Sequence, residues 1–132
     1  MSLSLSLDFQ FTTTIEKLWS ALTDSSKLAQ WIAENDFKPV VGHRFQFRHP
    51  PSEWWDGIVD CEVLVVEAPT RLSFTMATGE EKHTVVLTVQ ALGDGKVGLH
   101  LDQTGFSNAY GVAGAKQGWS AWFDKLDHLL QA

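Results

Sequence analysis

The chain is short of the residues on which several classes of protein depend. It has a single cysteine, Cys61, so no disulfide can form within it, and we expect a cytoplasmic location. Ten lysine and arginine residues stand against sixteen acidic residues, which gives a formal net charge of −6. Nucleic-acid binding is not expected, because phosphate recognition needs clustered basic residues. The same deficit excludes attraction to an anionic membrane surface.

Long apolar runs and catalytic motifs are also missing. No stretch approaches the roughly 20 apolar residues of a membrane-spanning helix, so we expect no membrane insertion. Residues 1–11 alternate apolar and polar side chains and lack the apolar block of a signal peptide. The sequence contains no His-x-x-x-His, Cys-x-x-Cys or Gly-x-Ser-x-Gly motif. It therefore predicts no metal site, no cofactor and no catalytic residues.

Aromatic residues, by contrast, are abundant. The 132 residues include six Trp and eight Phe, but Tyr110 is the single tyrosine. With 44% hydrophobic and 20% charged residues, the chain has the composition of one globular domain spanning residues 1–132. So many rings in a small domain either fill its core or line an apolar pocket.

Hydrophobic periodicity predicts an α+β domain. Alternation indicates six strands, and apolar residues at helical spacing indicate two short helices after the first strand and one long helix at the C-terminus. The predicted order is β-α-α-β-β-β-β-β-α, with strands around residues 3–11, 44–49, 58–67, 72–76, 83–89 and 97–103, and helices around 15–22, 28–32 and 107–131. We expect a curved antiparallel sheet with one apolar face, which the long helix covers.

The long helix carries glycines that cost stability. Gly111, Gly114 and Gly118 share one side of it, and each lowers helix stability by about 1 kcal/mol relative to alanine. One explanation is that the backbone packs tightly against the sheet at these positions. The other is that the missing side chains leave room for a ligand beneath the helix.

These features together resemble a known family. Five short motifs follow one another as in the Bet v 1/START-like (SRPBCC) superfamily. They are the stretch Leu18 to Asp24 (LWSALTD), Leu28 with Trp31, Gly42-x-x-Phe45, Pro69-x-x-Leu72 and Gly118-Trp119. Within this superfamily, the chain resembles the branch of activator of Hsp90 ATPase homologue 1-like proteins. The resemblance covers nearly the whole chain. It implies a helix-grip fold, in which the curved sheet wraps around the long helix and encloses a cavity, and, as in many members, the binding of hydrophobic or amphipathic small molecules.

Two departures limit what the resemblance implies. The co-chaperone that names the branch resembles this chain only through its smaller terminal domain, and the basic Hsp90-contacting segment of its other domain has no counterpart here. Plant allergens of the superfamily have a glycine-rich loop between strands two and three. Here residues 50–57 read Pro-Pro-Ser-Glu-Trp-Trp-Asp-Gly. Chaperone activation and the role of that loop are therefore not implied.

We expect a ligand site between the sheet and the long helix. Inward-facing apolar residues would form its walls, His83 and Gln103 would orient the ligand, and the Trp54–Trp55 loop would cover the entrance or act as a lid. The full set of predicted site residues is Phe45, Phe47, His49, Trp54, Trp55, Phe74, His83, Leu87, Leu101, Gln103, Tyr110, Gly114, Gly118 and Trp119.

Three functions are compatible with these patterns. The favoured one is the binding of a small hydrophobic or aromatic ligand in an internal cavity. The second is a co-chaperone-like interaction module that uses the Trp54–Trp55 loop as its contact surface. The third is an enzyme acting on a hydrophobic small substrate. A homodimer formed through an exposed sheet edge is compatible with the sequence, which does not specify one.

Overall fold

The order of helices and strands is the one that the sequence predicts, with one additional strand. A computed structural model describes residues 3–132, so the predicted start of the alternating segment at Met1 and Ser2 lies outside the described residues. The elements are β1 (Leu3–Thr12), α1 (Ile15–Thr23), α2 (Ser25–Trp31), β2 (Glu34–Asn35), β3 (Arg44–Arg48), β4 (Ile58–Glu67), β5 (Arg71–Thr78), β6 (Glu81–Gly93), β7 (Lys96–Phe106) and α3 (Ala109–Gln131). The additional strand is β2, whose two residues are too few to produce a recognisable alternation.

The strands of residues 3–132 form one curved antiparallel sheet in the order β1-β7-β6-β5-β4-β3-β2. Its register places apolar residues opposite one another, as in the pairs Phe47–Val59, Phe74–Val85 and Leu87–Leu101. Because side chains alternate between the two faces of a strand, these residues share the concave face. The predicted helix-grip architecture is confirmed.

The short helices α1 and α2 are separated by Asp24, which serves both. Its backbone N–H donates to Ser20 O at the end of α1, and its side chain accepts from Ser26 N and Lys27 N at the start of α2. Hydrogen bonds from Ser26 and Lys27 hold the pKa of Asp24 below its ordinary value. This arrangement turns the chain so that both helices direct apolar side chains into the core.

The C-terminal half of α3 is anchored in that core. Trp119, Phe123 and Leu126 are at most 2% exposed. The ring of Phe123 lies 4.3 Å from that of Phe9 in β1 and 5.9 Å from that of Trp31 in α2, measured between centroids. One side chain of α3 therefore contacts both the sheet and the helical pair that precedes it.

The N-terminal half of α3 is far less buried. The helix begins at Ala109, two residues later than predicted, because the side chain of Asn108 caps it by accepting from Gly111 N at 2.9 Å. Gly114 is exposed and Gly118 is half-buried, yet a Cβ atom built at either position would meet no atom within 4 Å. Tight packing of the backbone therefore does not explain these two glycines.

We expect Gly114→Ala and Gly118→Ala each to raise the free energy of unfolding by about 0.5–1 kcal/mol, because alanine favours the helix and nothing opposes the added methyl group. Urea denaturation followed by circular dichroism measures the change.

Gly57→Ala and Gly105→Ala are the matched controls and should destabilise the protein. Both glycines have positive φ angles, 83° and 102°, and a Cβ atom at Gly105 would lie 2.5 Å from Lys82 O. If Gly114→Ala and Gly118→Ala destabilise the protein, the helix surface at these two positions is not open as described.

Candidate ligand site

Six predicted wall residues lie together in the core. Phe45, Phe47, Phe74, Leu87, Leu101 and Trp119 are at most 3% exposed. The ring centroid of Phe45 is 5.4 Å from that of Phe47 and 5.9 Å from that of Phe74. The sequence thus correctly places these residues on one face, but they pack against side chains and not around an open space.

Buried aromatic rings lie where the sequence predicts an enclosed hollow beneath α3. Four prominent cavities of about 210–540 Å³ in residues 3–132 all open to solvent. None of them is lined by residues 109–128. Phe106, Trp119 and Phe123, each 2% exposed, occupy the region where the helix meets the sheet. Large aromatic rings are wide enough to fill the gap that a curved sheet leaves against a straight helix.

His83 and Gln103, which the sequence predicts as polar contacts for a ligand, form hydrogen bonds with protein groups. Trp119 Nε1 donates to Gln103 Oε1 at 2.7 Å, and Gln103 Nε2 lies 2.8 Å from His83 Nδ1. With the amide donating, His83 Nδ1 accepts, and the remaining proton of the neutral ring is on Nε2. These bonds join α3 to β7 and β6 in the interior.

The polar chain continues to the start of α3. His83 Nε2 is buried and lies 3.3 Å from Glu81 Oε1, a polar contact that is not aligned as a hydrogen bond. Glu81 Oε1 also accepts from Ser107 N at 2.7 Å, and this bond is the main reason that the pKa of Glu81 lies below its ordinary value. His83 and Gln103 therefore fix the position of α3.

An aromatic cluster lies at the rim of the helix–sheet interface. The ring of His49, just after β3, stacks on Trp122 of α3 with centroids 5.9 Å apart and planes 9° apart. The ring centroid of Trp55 is 5.6 Å from that of His49 on the loop side. Trp119 meets Trp122 edge to face at 5.0 Å. This cluster connects the loop between β3 and β4 to the helix.

The unpacked glycines lie on the same stripe of α3 as Trp122. Residues four apart along a helix share a face, so Gly114, Gly118 and Trp122 follow one another along it. A helical side chain leans toward the N-terminus, which brings the ring of Trp122 toward Gly118. We call the surface formed by Gly114, Gly118, Trp122, His49 and Trp55 the glycine–tryptophan face.

Trp122 is the member of this face that the predicted site leaves out. Its spacing of four residues from Gly118 and eight from Gly114 is the sequence signal that would have connected it to them. Conversely, Trp54 and Tyr110 are 90% and 91% exposed and lie outside the face.

The chemistry of the inner face is apolar and unreactive. Burial lowers the pKa of His49 below its ordinary value, so its ring is neutral at pH 7. Burial also raises the pKa of the Cys61 thiol to about 12, which makes it a poor nucleophile. Residues 3–132 contain no group of metal-ligating side chains suited to hold an ion. The face can therefore provide apolar contact and one imidazole ring.

A match to a family model agrees with this architecture. Residues 12–131 match the model of the Activator of Hsp90 ATPase homolog 1-like proteins. The chain belongs to this AHSA1-like family. No match was found among the curated proteins. Across residues 3–132, no helix combines the length and apolar character needed to cross a bilayer.

Solved structures show how widely the AHSA1-like fold is shared. MLL2253 from Mesorhizobium loti is 34% identical, with 98% of this chain and 97% of that chain covered and a TM-score of 0.87. DynU16, a protein of the dynemicin biosynthetic locus, is 22% identical, with 98% of this chain but 47% of that chain covered and a TM-score of 0.84. The Aha1 dimer from Colwellia psychrerythraea is 15% identical, with 97% and 96% covered and a TM-score of 0.82. The last two similarities concern the fold alone.

A second histidine, on the opposite face of the sheet, provides an internal comparison for His49. His100 Nδ1 is 2.7 Å from Asp8 Oδ1, and its Nε2 is 3.0 Å from Asp102 Oδ2. These carboxylates, with Asp8 contributing most, raise the pKa of His100 above its ordinary value. As predicted from the alternation, His100 and Asp102 lie on the outer face.

We expect the titration midpoint of His49 to lie below pH 6.5 and that of His100 to lie above pH 6.5. NMR titrations of the ring C–H signals measure both midpoints, and the variants His49→Gln and His100→Gln assign the signals. The stability that protonated His100 contributes to the folded state is present below pH 6.5 and is lost as the pH rises through the pKa of His100 in the folded protein. Stability linked to neutral His49 is present above 6.5 and is lost as pH falls toward its folded pKa. The reverse order of the two midpoints would contradict the described environments.

Proposed function

We propose that the protein binds a small, uncharged apolar or aromatic molecule on the glycine–tryptophan face. The observation that carries the proposal is the surroundings of Gly118. This residue is half-buried, yet the position of a Cβ atom is free of neighbours within 4 Å. We infer a shallow groove here, outside the four cavities described above, in which a flat guest would lie near the ring of Trp122.

The composition of the face favours such a guest. Trp122 and Trp55 offer indole rings for stacking, and His49 between them is neutral because burial lowers its pKa. Among residues 3–132, no donor or acceptor bonds the ring nitrogens of His49, so they are free to contact a hydroxyl or carbonyl group of a ligand. A charged ligand would gain little here, since no charged side chain belongs to the face.

The glycines are consistent with a binding role. Gly114 and Gly118 lower helix stability without a packing gain, at a cost of about 1 kcal/mol each. A cost of this kind is explained when the open backbone surface receives a ligand. The resemblance to superfamily members that bind hydrophobic small molecules supports the same reading.

The expected affinity is modest. A guest that buries roughly 200–300 Å² of apolar surface gains about 5–8 kcal/mol before the cost of association. This corresponds to micromolar binding at best. Any tighter binding would need additional polar contacts.

We expect 2-naphthalenemethanol, an aromatic alcohol, to bind saturably and to shift the indole N–H signals of Trp55, Trp119 and Trp122 in ¹H–¹⁵N NMR spectra. Gly118→Leu should weaken this binding about tenfold, because the new side chain occupies the groove.

The matched control is Ala121→Leu, which adds a leucine to an exposed position of the same helix and should leave binding unchanged. 1-Decanol, tested in parallel, distinguishes an aromatic from an aliphatic preference. The proposal fails if neither alcohol binds saturably, or if Gly118→Leu binds as the wild type does.

A further inference from the structure

The loop between β3 and β4 presents a second surface, on the outside of the protein. Trp54 is 90% exposed and Trp55 is 38% exposed. Both rings line an open groove of about 540 Å³ between this loop and the turn that joins β5 to β6 at Gly79. The groove shares Trp55 with the glycine–tryptophan face, but no residue of α3 lines it, so the groove opens on the other side of that ring from the helix.

The loop is held in shape by its own hydrogen bonds. Ser52 N donates to Trp55 O at 2.8 Å, and Ile58 N donates to the Asp56 side chain at 3.0 Å. Gly57, with a φ of 83°, closes the loop so tightly that a Cβ atom there would overlap His49 O. Trp54 therefore projects into water from an ordered backbone, and a partner can bind its ring without first ordering the loop.

The groove is acidic. Glu53, Asp56 and Asp60 line it, and no lysine, arginine or histidine does. In residues 3–132 none of these three carboxylates takes part in an ion pair. Asp60 accepts only an uncharged donor, Gln46 Nε2, at 2.8 Å. We refer to Trp54, Trp55, Glu53, Asp56 and Asp60 as the acidic groove.

The acidic groove continues along the outer face of the sheet. A neighbouring groove of about 510 Å³ shares Asp60 and Ala77 with it. The neighbouring groove adds Asp36 and Glu62, which are paired with Arg48 and Arg44 at 3.5 Å each, and it also contains Lys82. Among residues 3–132, the unpaired acidic charge is therefore concentrated at Glu53, Asp56 and Asp60, where it is complementary to a basic segment.

We propose that the acidic groove is a docking site for a basic, arginine-bearing segment of a partner protein. A guanidinium group can stack on an exposed indole ring and bond a carboxylate through its fork of N–H groups at the same time. Lysine is a poorer fit, because its ammonium group is more strongly hydrated and cannot stack as a plane. Nucleic acids and anionic membranes are repelled by the same carboxylates.

The test uses the blocked peptide Ac-Gly-Arg-Gly-Arg-Gly-Arg-Gly-NH₂, with the Lys and Glu versions and arginine amide for comparison, in calorimetric titrations at two salt concentrations. The Arg peptide should bind saturably, several-fold more tightly than the Lys peptide, and the Glu peptide should not bind. Trp54→Ala should weaken binding about fivefold. The double variant Glu53→Gln, Asp56→Asn should weaken it further and flatten its salt dependence.

Matched controls separate the groove from general surface effects. Tyr110→Ala removes an aromatic ring that is 91% exposed elsewhere, and Glu16→Gln removes a carboxylate on α1, so neither should change binding. Urea denaturation of Trp54→Ala should match the wild type, because the ring is almost fully exposed.

Three results would overturn the proposal. One is the absence of saturable binding by the Arg peptide, and another is an equal effect of Trp54→Ala and Tyr110→Ala. The third is binding of arginine amide as tightly as the peptide, which would assign the groove to a small cation and not to a protein segment.

Discussion

The fold depends on the attachment of α3 through its C-terminal half. Phe123 contacts Phe9 of β1, Trp31 of α2 and Trp119 of its own helix, with ring centroids 4.3, 5.9 and 5.5 Å apart. This contact connects the edge of the sheet, the helical pair and the closing helix in one cluster of rings. Because α3 is a single helix of 23 residues, fixing this half also fixes the path of the other half. The N-terminal turns therefore extend over the sheet with partial packing, through the half-buried Val112 and Ala115.

Polar contacts then position the N-terminal half of α3. The side chains of Trp119, Gln103 and His83 are joined by hydrogen bonds, and Glu81 binds the backbone just before α3 at Ser107. These bonds hold the helix above the sheet while Gly114 and Gly118 keep its surface open. The result is two surfaces of different chemistry. The inner one is aromatic and neutral, and the outer one at the Trp54 loop is aromatic and acidic, so each suits a different partner.

The sequence predicts the architecture well because periodicity reports which residues are buried. Alternation correctly places Phe45, Phe47 and Leu101 on the concave face, and it correctly places His100 outside. It cannot predict whether buried side chains meet or leave a cavity, because that depends on distances of a few ångströms between elements far apart in the chain. The same limit applies to Gln103 and His83, whose inward phase suits a ligand contact and an internal hydrogen bond equally. To predict the role of Trp122, one must know that the end of β3 lies beneath it in the folded protein.

Amide hydrogen exchange of α3, followed by NMR, tests most directly whether the C-terminal half of the helix is held more firmly than the N-terminal half. Residues 119–126 should exchange only through global unfolding, whereas residues 113–117 should exchange through local opening, at least about a hundredfold faster. Their exchange should also depend much less on urea, since local opening exposes little surface. Uniform protection along the whole of α3, with a common dependence on urea, would contradict the account.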